Sequence, residues 1–511
     1  MISSPVYTLV ILSMKSFVRA RQTAMSTLPT RYLTKPLSSS ALAALARLSQ
    51  SGHEQHLFQP VASQPSVSPM RRTTTWLTAL RAREKAEREW KESNPGSSAS
   101  APSSLTYSYT SVKTRERVSK SRDDSFTYAI LPFKDDPWFM DAYINASGRL
   151  RIGQIFQDLD ALAGVIAYRH CSPAEPVIVT ASVDRIYMLK RLDDVSSCNV
   201  TLSGSVTWTG RSSMEITIKA ATHRGEFDKE KILEESDIRD EDVFLTANFT
   251  FVARDPETQK AFPINMLVPR NEKEEADFVL AEKFNNQKKI AASQTGLQLS
   301  PPSEEEAKVI HDMWIKEKDY ESHPETRSKS VIPMSTTRIF STSIMQPQYR
   351  NRHSYMIFGG YLLRETFELA YACAAAFSHS QPRYVSLDST TFRNPVPVGS
   401  VLYLTATVAY IQNTKRCITT QTDHSTETSD VPGTLIQIRV DSTVRNLDHG
   451  TTTDTGQFTY SYFVPVQGLE ILPQTYGEMM EYLEGRRKAQ DTADYFQERY
   501  SKDATQSVVS E

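Results

Sequence analysis

Four cysteines are few for a chain of 511 residues. Cys171, Cys198, Cys373 and Cys417 form no CxxC or CxxxC pair, which argues against a zinc site or a disulfide framework and fits a reducing compartment. No apolar run approaches the roughly 20 residues that a membrane helix requires. A phosphate-binding glycine loop is missing, and so is the GxSxG elbow of serine hydrolases. The formal net charge of −2 supplies no basic field for nucleic acid. The length allows two or three domains at roughly 100–200 residues each.

Acidic residues are missing from one place in particular. Between Met1 and His53 there is no Asp or Glu, while Lys15, Arg19, Arg21, Arg31, Lys35 and Arg47 are spread through Ser, Thr, Ala and Leu. Acid-free, Arg- and Ser-rich composition is the mark of a mitochondrial transit peptide, with "ALAALARLSQ" as its amphipathic helix. Residues 1–53 are therefore expected to direct import into mitochondria, to the matrix.

Beyond this leader, residues 54–119 hold a charged helical run, "WLTALRAREKAEREWKES", and a Ser/Pro-rich linker. A globular block spans 120–258. A charged, helix-prone bridge covers 259–330, with "PPSEEEAKVIHDMWIKEKD" placing prolines before a helix start. A second block spans 331–465, and 466–511 reads as a C-terminal helix and tail. The two blocks look like copies. Each opens on a glycine-led apolar helix, Gly153 to His170 and Gly359 to Phe377. Each continues into an extended segment with Ser-x-Asp, "ASVDRIYML" and "VSLDSTTFR", and then into long alternating runs. One long helix followed by several alternating strands predicts an antiparallel sheet with one face covered by that helix, so the fold class is α+β. Two such units each leave apolar surface to cover, which predicts that they pair.

The first helix carries an anomaly. In "GQIFQDLDALAGVIAYRH", Ile155, Leu159, Leu162 and Ile166 fall on one stripe at about 100° per residue. Asp160 lies on the flank of that stripe, tucked against apolar neighbours, whereas Asp158 is expected to face polar surroundings as a solvated charge. A half-buried carboxylate needs a partner or a task, and capping a nearby loop would be a sufficient one.

The order and spacing of "GQIFQDLDALAGVIAYRH", "VTWTGRSSMEI", "FVARD", "IFGGYLLRETFELAYA", "NPVPVGSVLYL" and "TYGEMMEYLEGRR" resemble the double-hotdog acyl-CoA thioesterases of the mitochondrial 9/10 type. The resemblance runs from about residue 120 to residue 487. It implies two hotdog folds in tandem, each a curled antiparallel sheet wrapped around one long helix, that associate into a homo-oligomer. It also implies hydrolysis of fatty acyl-CoA to free acid and CoA, with CoA as part of the substrate and no separate cofactor. In that family the active site lies between two units, and the catalytic carboxylate stands seven residues after the glycine that opens the helix. Gly153 plus seven is Asp160. The opposing loop, "RNRHSYMIFGG", would supply Asn351 as polar partner, His353 as a possible orienting group, and the backbone N–H groups of Gly359 and Gly360 as holders of the thioester oxygen.

The second helix departs from the pattern. Gly360 plus seven is Phe367, and the adjacent Glu368 falls nearly opposite the apolar stripe, as an exposed charge would. Only one complete site is therefore expected, with Asn145 on the loop of the degenerate one. Arg169, Arg185, Arg383 and Arg393 are candidates to meet CoA phosphates, each with an ordinary surface role as the alternative. Two other readings compete. A hotdog dehydratase or hydratase would need an Asp and a His close together in the loop–helix segment, and Asp141 is followed five residues later by Ala146. A non-catalytic acyl-CoA-binding or regulatory protein would suit the altered second loop but not the retention of Asp160.

Overall fold

The computed structural model describes residues 111–223, 233–294, 301–351, 356–388, 390–422, 425–447 and 450–506, with isolated helical positions between 81 and 93. The architecture is α+β, as expected, and centres on one sheet of eleven strands. Its first half holds β1 (Thr127–Leu131), β2 (Val177–Met188), β3 (Asn199–Thr209), β4 (Ser213–His223) and β5 (Val243–Arg254). The second half holds β6 (Ile339–Ile344), β7 (Arg383–Leu387), β8 (Val401–Thr422), β9 (Ser425–Arg445) and β10 (Thr452–Val464). A two-residue strand, Thr390–Thr391, pairs with β2 off the main path. The order across the sheet is β1-β3-β4-β5-β2-β7-β10-β9-β8-β6, and these pairings are antiparallel. From the central β2–β7 pair, where Leu387 lies opposite Ile186, each half repeats the other's strand order outward.

Two central helices lie against this sheet, α1 (Ile152–Cys171) and, after the helices of the bridge, α4 (Gly359–Ser378). The stripe read from the sequence is the face of α1 that packs: Ile155, Leu159, Leu162 and Ile166 are all buried. Complete burial of such side chains is worth roughly 1.5–3 kcal/mol each. Arg169 occupies the last turn of α1, where its positive charge complements the helix dipole. α1 and α4 also pack on each other, with Phe156 and Phe367 edge to face at 5.2 Å.

The charged bridge forms α2 (Glu272–Gln294) and α3 (Glu304–Ser322), and the C-terminal segment forms α5 (Tyr476–Gln506). Ser303 and Glu306 make a capping box at the start of α3, immediately after the two prolines. Burial of β3 on both of its faces follows from α1 on one side and α2 on the other. The repeated Ser-x-Asp motif explains how such flanking helices are held. Asp184 accepts hydrogen bonds from Ser182 (2.7 Å) and Thr250 (2.6 Å) and pairs with Lys288 of α2 at 2.7 Å. Asp388 accepts from Thr492 of α5 at 2.7 Å. Glu306 of α3 receives a two-pronged contact from Arg487 of α5, at 2.6 Å on each oxygen. Cys171, Cys198 and Cys373 are buried and are not joined in a disulfide. Among the described residues no helix is long and apolar enough to cross a membrane.

Candidate active site

Asp160 is fully buried at the contact between α1 and the start of α4. Its Oδ2 accepts a hydrogen bond from the backbone N–H of Gly360 at 2.6 Å, and its Oδ1 accepts from the Thr180 hydroxyl at 3.0 Å. α4 has no side-chain cap of its own, because Phe358 stands at the N-cap position. The first N–H groups of a helix need an outside acceptor, and a carboxylate there also meets the positive end of the helix dipole. Asp160 fills that need from another helix, 200 residues away in sequence.

Burial pushes the Asp160 carboxyl from the ordinary 3.8 up to about 7, against the Thr180 hydroxyl and the Gly360 N–H, which both favour the ionised form. Each carboxylate oxygen retains a further lone pair for a water molecule or a reacting proton.

Close approach leaves little room at Gly359 and none at Gly360. A Cβ on Gly359 would stand 3.1 Å from Asp160 Oδ2 and 3.5 Å from both Phe392 and Thr180 Oγ1. On Gly360 it would meet the Phe358 ring at 2.7 Å and the Gln157 carbonyl oxygen at 2.9 Å. The structure thus brings Asp160, Gly359 and Gly360 together. It corrects the expectation for Gly360, because the Asp160 carboxylate takes its N–H and leaves that group unavailable to a thioester oxygen. The Gly359 N–H has no hydrogen-bond partner among the described residues.

Asn351 lies on the loop before α4, half-buried, with its N–H donating to the Met356 carbonyl at 2.8 Å. His353 lies outside the described residues. Thr180, which touches Asp160 directly, was not singled out from the sequence. Its signal was faint: it immediately precedes the "ASVDRIYML" segment, in the strand that follows the Asp-bearing helix.

Two further expectations are corrected. Asp158 is not a free solvated charge. It is half-buried and accepts a 2.7 Å hydrogen bond from the Tyr143 phenol, because the loop before α1 folds back over it. Burial pushes its carboxyl up to about 7, against the Tyr143 phenol, Gln154 and Arg364. Glu368 is half-exposed, not fully so, and pairs with Arg151 at the N-terminus of α1 at 2.8 Å. The apolar stripe of α4 alone did not reveal that a second helix end faces it.

Phe367 occupies the position on α4 that corresponds to Asp160. It is buried against Phe156, Tyr384 and Tyr460 with ring centroids 5.2, 5.5 and 5.7 Å away. Asn145 organises its own turn on the first unit's loop, its side-chain oxygen accepting from Ser147 and from the Arg149 N–H. Of the basic candidates, Arg169 donates to the Phe126 carbonyl at 2.7 Å, Arg185 lies over the Phe284 ring and Arg393 pairs with Asp454. None of these three contacts Asp160. Among the described residues no cluster of His, Cys, Asp and Glu could hold a metal ion.

No protein-family model matches the chain. Curated relatives do. Acyl-coenzyme A thioesterase 10, mitochondrial, of Mus musculus is 32% identical over 379 residues, covering 71% of this chain and 77% of the mouse protein. Acyl-coenzyme A thioesterase 9, mitochondrial, of Homo sapiens is 33% identical over 377 residues, covering 71% and 76%. Acyl-coenzyme A thioesterase 2, chloroplastic, of Humulus lupulus is 35% identical over 303 residues, covering 58% and 66%. Similarity at this level, sustained over more than two thirds of both the chain and its mammalian relatives, means that this protein belongs to the acyl-coenzyme A thioesterase 9/10 family.

Proposed function

We propose that the acyl-CoA hydrolysis of this family is carried out here by Asp160 as general base, at the contact between two hotdog units in tandem. The observation that carries the reading is a fully buried carboxylate fixed by a backbone N–H from the opposing helix. A carboxyl that titrates near 7 is matched to proton transfer at neutral pH, which the ordinary Asp value near 3.9 is not. Thr180 and Gly360 position the carboxylate. Its free lone pairs hold the attacking water.

The water oxygen adds to the thioester carbonyl carbon while Asp160 takes a proton from the water. Negative charge gathers on the former carbonyl oxygen. The Gly359 N–H, at the positive end of α4 and without a partner among the described residues, is the donor suited to hold it, and Asn351 on the same loop is the proposed polar partner. Collapse of the adduct breaks the carbon–sulfur bond and releases CoA thiolate, and the proton held by Asp160 passes to that sulfur. The products are the free acid and CoA, and Asp160 is again ionised.

The mirrored strand order about β2–β7 supports the tandem arrangement, and Phe367 supports a single working site. The acid-free leader and the mitochondrial names of the mammalian relatives support a mitochondrial, matrix location. Thiol release from a panel of acyl-CoA esters, by wild type and Asp160→Asn, tests the function. Turnover that depends on Asp160 is expected. A folded wild type that binds acyl-CoA and releases no thiol from any ester would instead favour the non-catalytic binding protein.

A further inference from the structure

The position related to the Asp160 site by the mirrored order is not simply a filled core. Phe367 closes its inner end, but outside it a half-open cleft of about 130 Å³ remains. Its walls carry four arginines, Arg149, Arg151, Arg191 and Arg383, against two carboxylates, Asp193 and Glu368. Four positive charges less two negative ones leave the lining with a surplus of two. Arg191 pairs with Asp193 at 2.6 Å and Arg151 with Glu368 at 2.8 Å. Arg149 and Arg383 have no ion-pair partner among the described residues.

Arg383 is the more telling of the two. Its Nη1 is buried and makes no hydrogen bond. Burial and the neighbouring Arg191 and Arg149 act against its charge, and Asp193 offsets them only in part. A buried donor left without an acceptor is destabilising, and more so on a charged group. Guanidiniums drawn together without enough carboxylates leave an arrangement that an anion would complete. Phosphate suits it best: its oxygens accept the forked donors of arginine, and its dianion matches the surplus charge. Tyr371 and Tyr384 line the same cleft and provide an aromatic wall beside the charges.

We propose that this cleft is a non-hydrolytic binding site for the phosphate group of a phosphorylated ligand, separate from the Asp160 site. It has no carboxylate placed as Asp160 is, because Phe367 stands there, so a bound thioester would meet no base. The assignment does not depend on Asp160 being the general base.

Calorimetric titration of the full chain at low salt tests it with three probes: inorganic phosphate, ADP and uncharged adenosine. Binding of ADP is expected, and binding of inorganic phosphate as well if the phosphate group alone suffices. Arg149→Gln/Arg383→Gln should weaken ADP by at least about tenfold, the scale of losing charge-assisted hydrogen bonds. Arg393→Gln, on a separate surface pair with Asp454, should leave the affinity unchanged. Only the arginine variants report on this cleft, whose walls carry Arg149 and Arg383. The double variant should melt no lower than wild type, since neither arginine makes an ion pair and one carries a buried donor without a partner among the described residues. Should it fail to fold, Arg149→Gln alone must still weaken ADP by about threefold. Failure of both ADP and phosphate to bind, adenosine binding as well as ADP, or unchanged ADP affinity in the folded arginine variant would each overturn the proposal.

Discussion

Replacing Asp160 by Asn should remove activity and, at alkaline pH, make the protein more stable. Both effects come from the same burial. In the unfolded chain this carboxyl loses its proton near 3.8, whereas in the folded chain it does so at about 7. Between those values the folded state holds a proton that the unfolded state has released. Raising the pH through that window therefore favours unfolding, and above about 7 the full cost is present. At about 1.4 kcal/mol per pH unit, the difference between 3.8 and about 7 amounts to roughly 4 kcal/mol. Asn matches Asp in volume and carries no charge to bury. Its side-chain oxygen can still accept from the Gly360 N–H, and its amide can donate to the Thr180 oxygen.

Denaturant unfolding at pH 5 and pH 8 measures the stability, and thiol release from one good acyl-CoA ester measures the activity. Asp160→Asn should gain up to roughly 4 kcal/mol over wild type at pH 8 and much less at pH 5. Its turnover should fall by at least about 10²-fold, the lower end for loss of a general base. Wild-type kcat/KM should decline tenfold per pH unit below about 7, as Asp160 takes up its proton. A variant less stable than wild type by the same amount at both pH values would refute the burial argument. Near-normal turnover would refute the assignment of the base.

Thr180→Val removes a hydrogen bond that favours the ionised carboxylate, so the acidic limb of the kcat/KM profile should move up by about one pH unit; an unmoved limb would mean that Thr180 does not tune the base. Gly359→Ala should lower turnover by about tenfold or more with little change in melting temperature, because the new methyl group presses on Asp160 Oδ2 from 3.1 Å and displaces the carboxylate. Glu368→Gln breaks a pair whose side chains are 42% and 40% exposed, so it should cost under about 1 kcal/mol in denaturant unfolding and leave turnover unchanged. A reporter fused to residues 1–53 should enter mitochondria and lose the segment; a cytosolic, intact reporter would remove the localisation.

Much of the frame could be read from the chain because it rests on local periodicity. Gly153 to His170 and Gly359 to Phe377 were expected as helices, and the observed spans are Ile152–Cys171 and Gly359–Ser378. The flank position of Asp160 followed from the same 3.6-residue period. The alternating runs became β3, β4, β5, β8, β9 and β10. The outermost strands β1 and β6 were not read out, since five or six residues at a sheet edge carry little pattern. What the sequence left open was set by contacts between distant segments. The hydrogen bond from Thr180 to Asp160 depends on how β2 lies beside α1. The Gly360 N–H is claimed by a residue 200 positions earlier, and the surroundings of Asp158 and Glu368 come from Tyr143 and Arg151 on a loop and a helix end folded against them.

The asymmetry between the halves has an energetic logic. In the first half a carboxylate sits in an apolar setting that raises its pKa and opposes its charge. That strain is tolerable where the shifted pKa is useful. A second carboxylate at the Phe367 position, buried among aromatic rings, would carry a desolvation cost of its own at neutral to alkaline pH, against the roughly 5–15 kcal/mol by which folded proteins exceed their unfolded chains. Phe367 replaces that cost with aromatic contacts to Phe156, Tyr384 and Tyr460, edge-to-face pairs worth about 0.5–1.5 kcal/mol each beyond their area. The swap also welds α4 to α1, because Phe156 belongs to the helix that carries Asp160. A rigid contact there holds Gly360 at hydrogen-bond distance from the carboxylate. On this argument Phe367 is more than the loss of a second site. It fixes the helix pair that aims Asp160, so a smaller side chain at 367 should loosen the acid and its helix cap together.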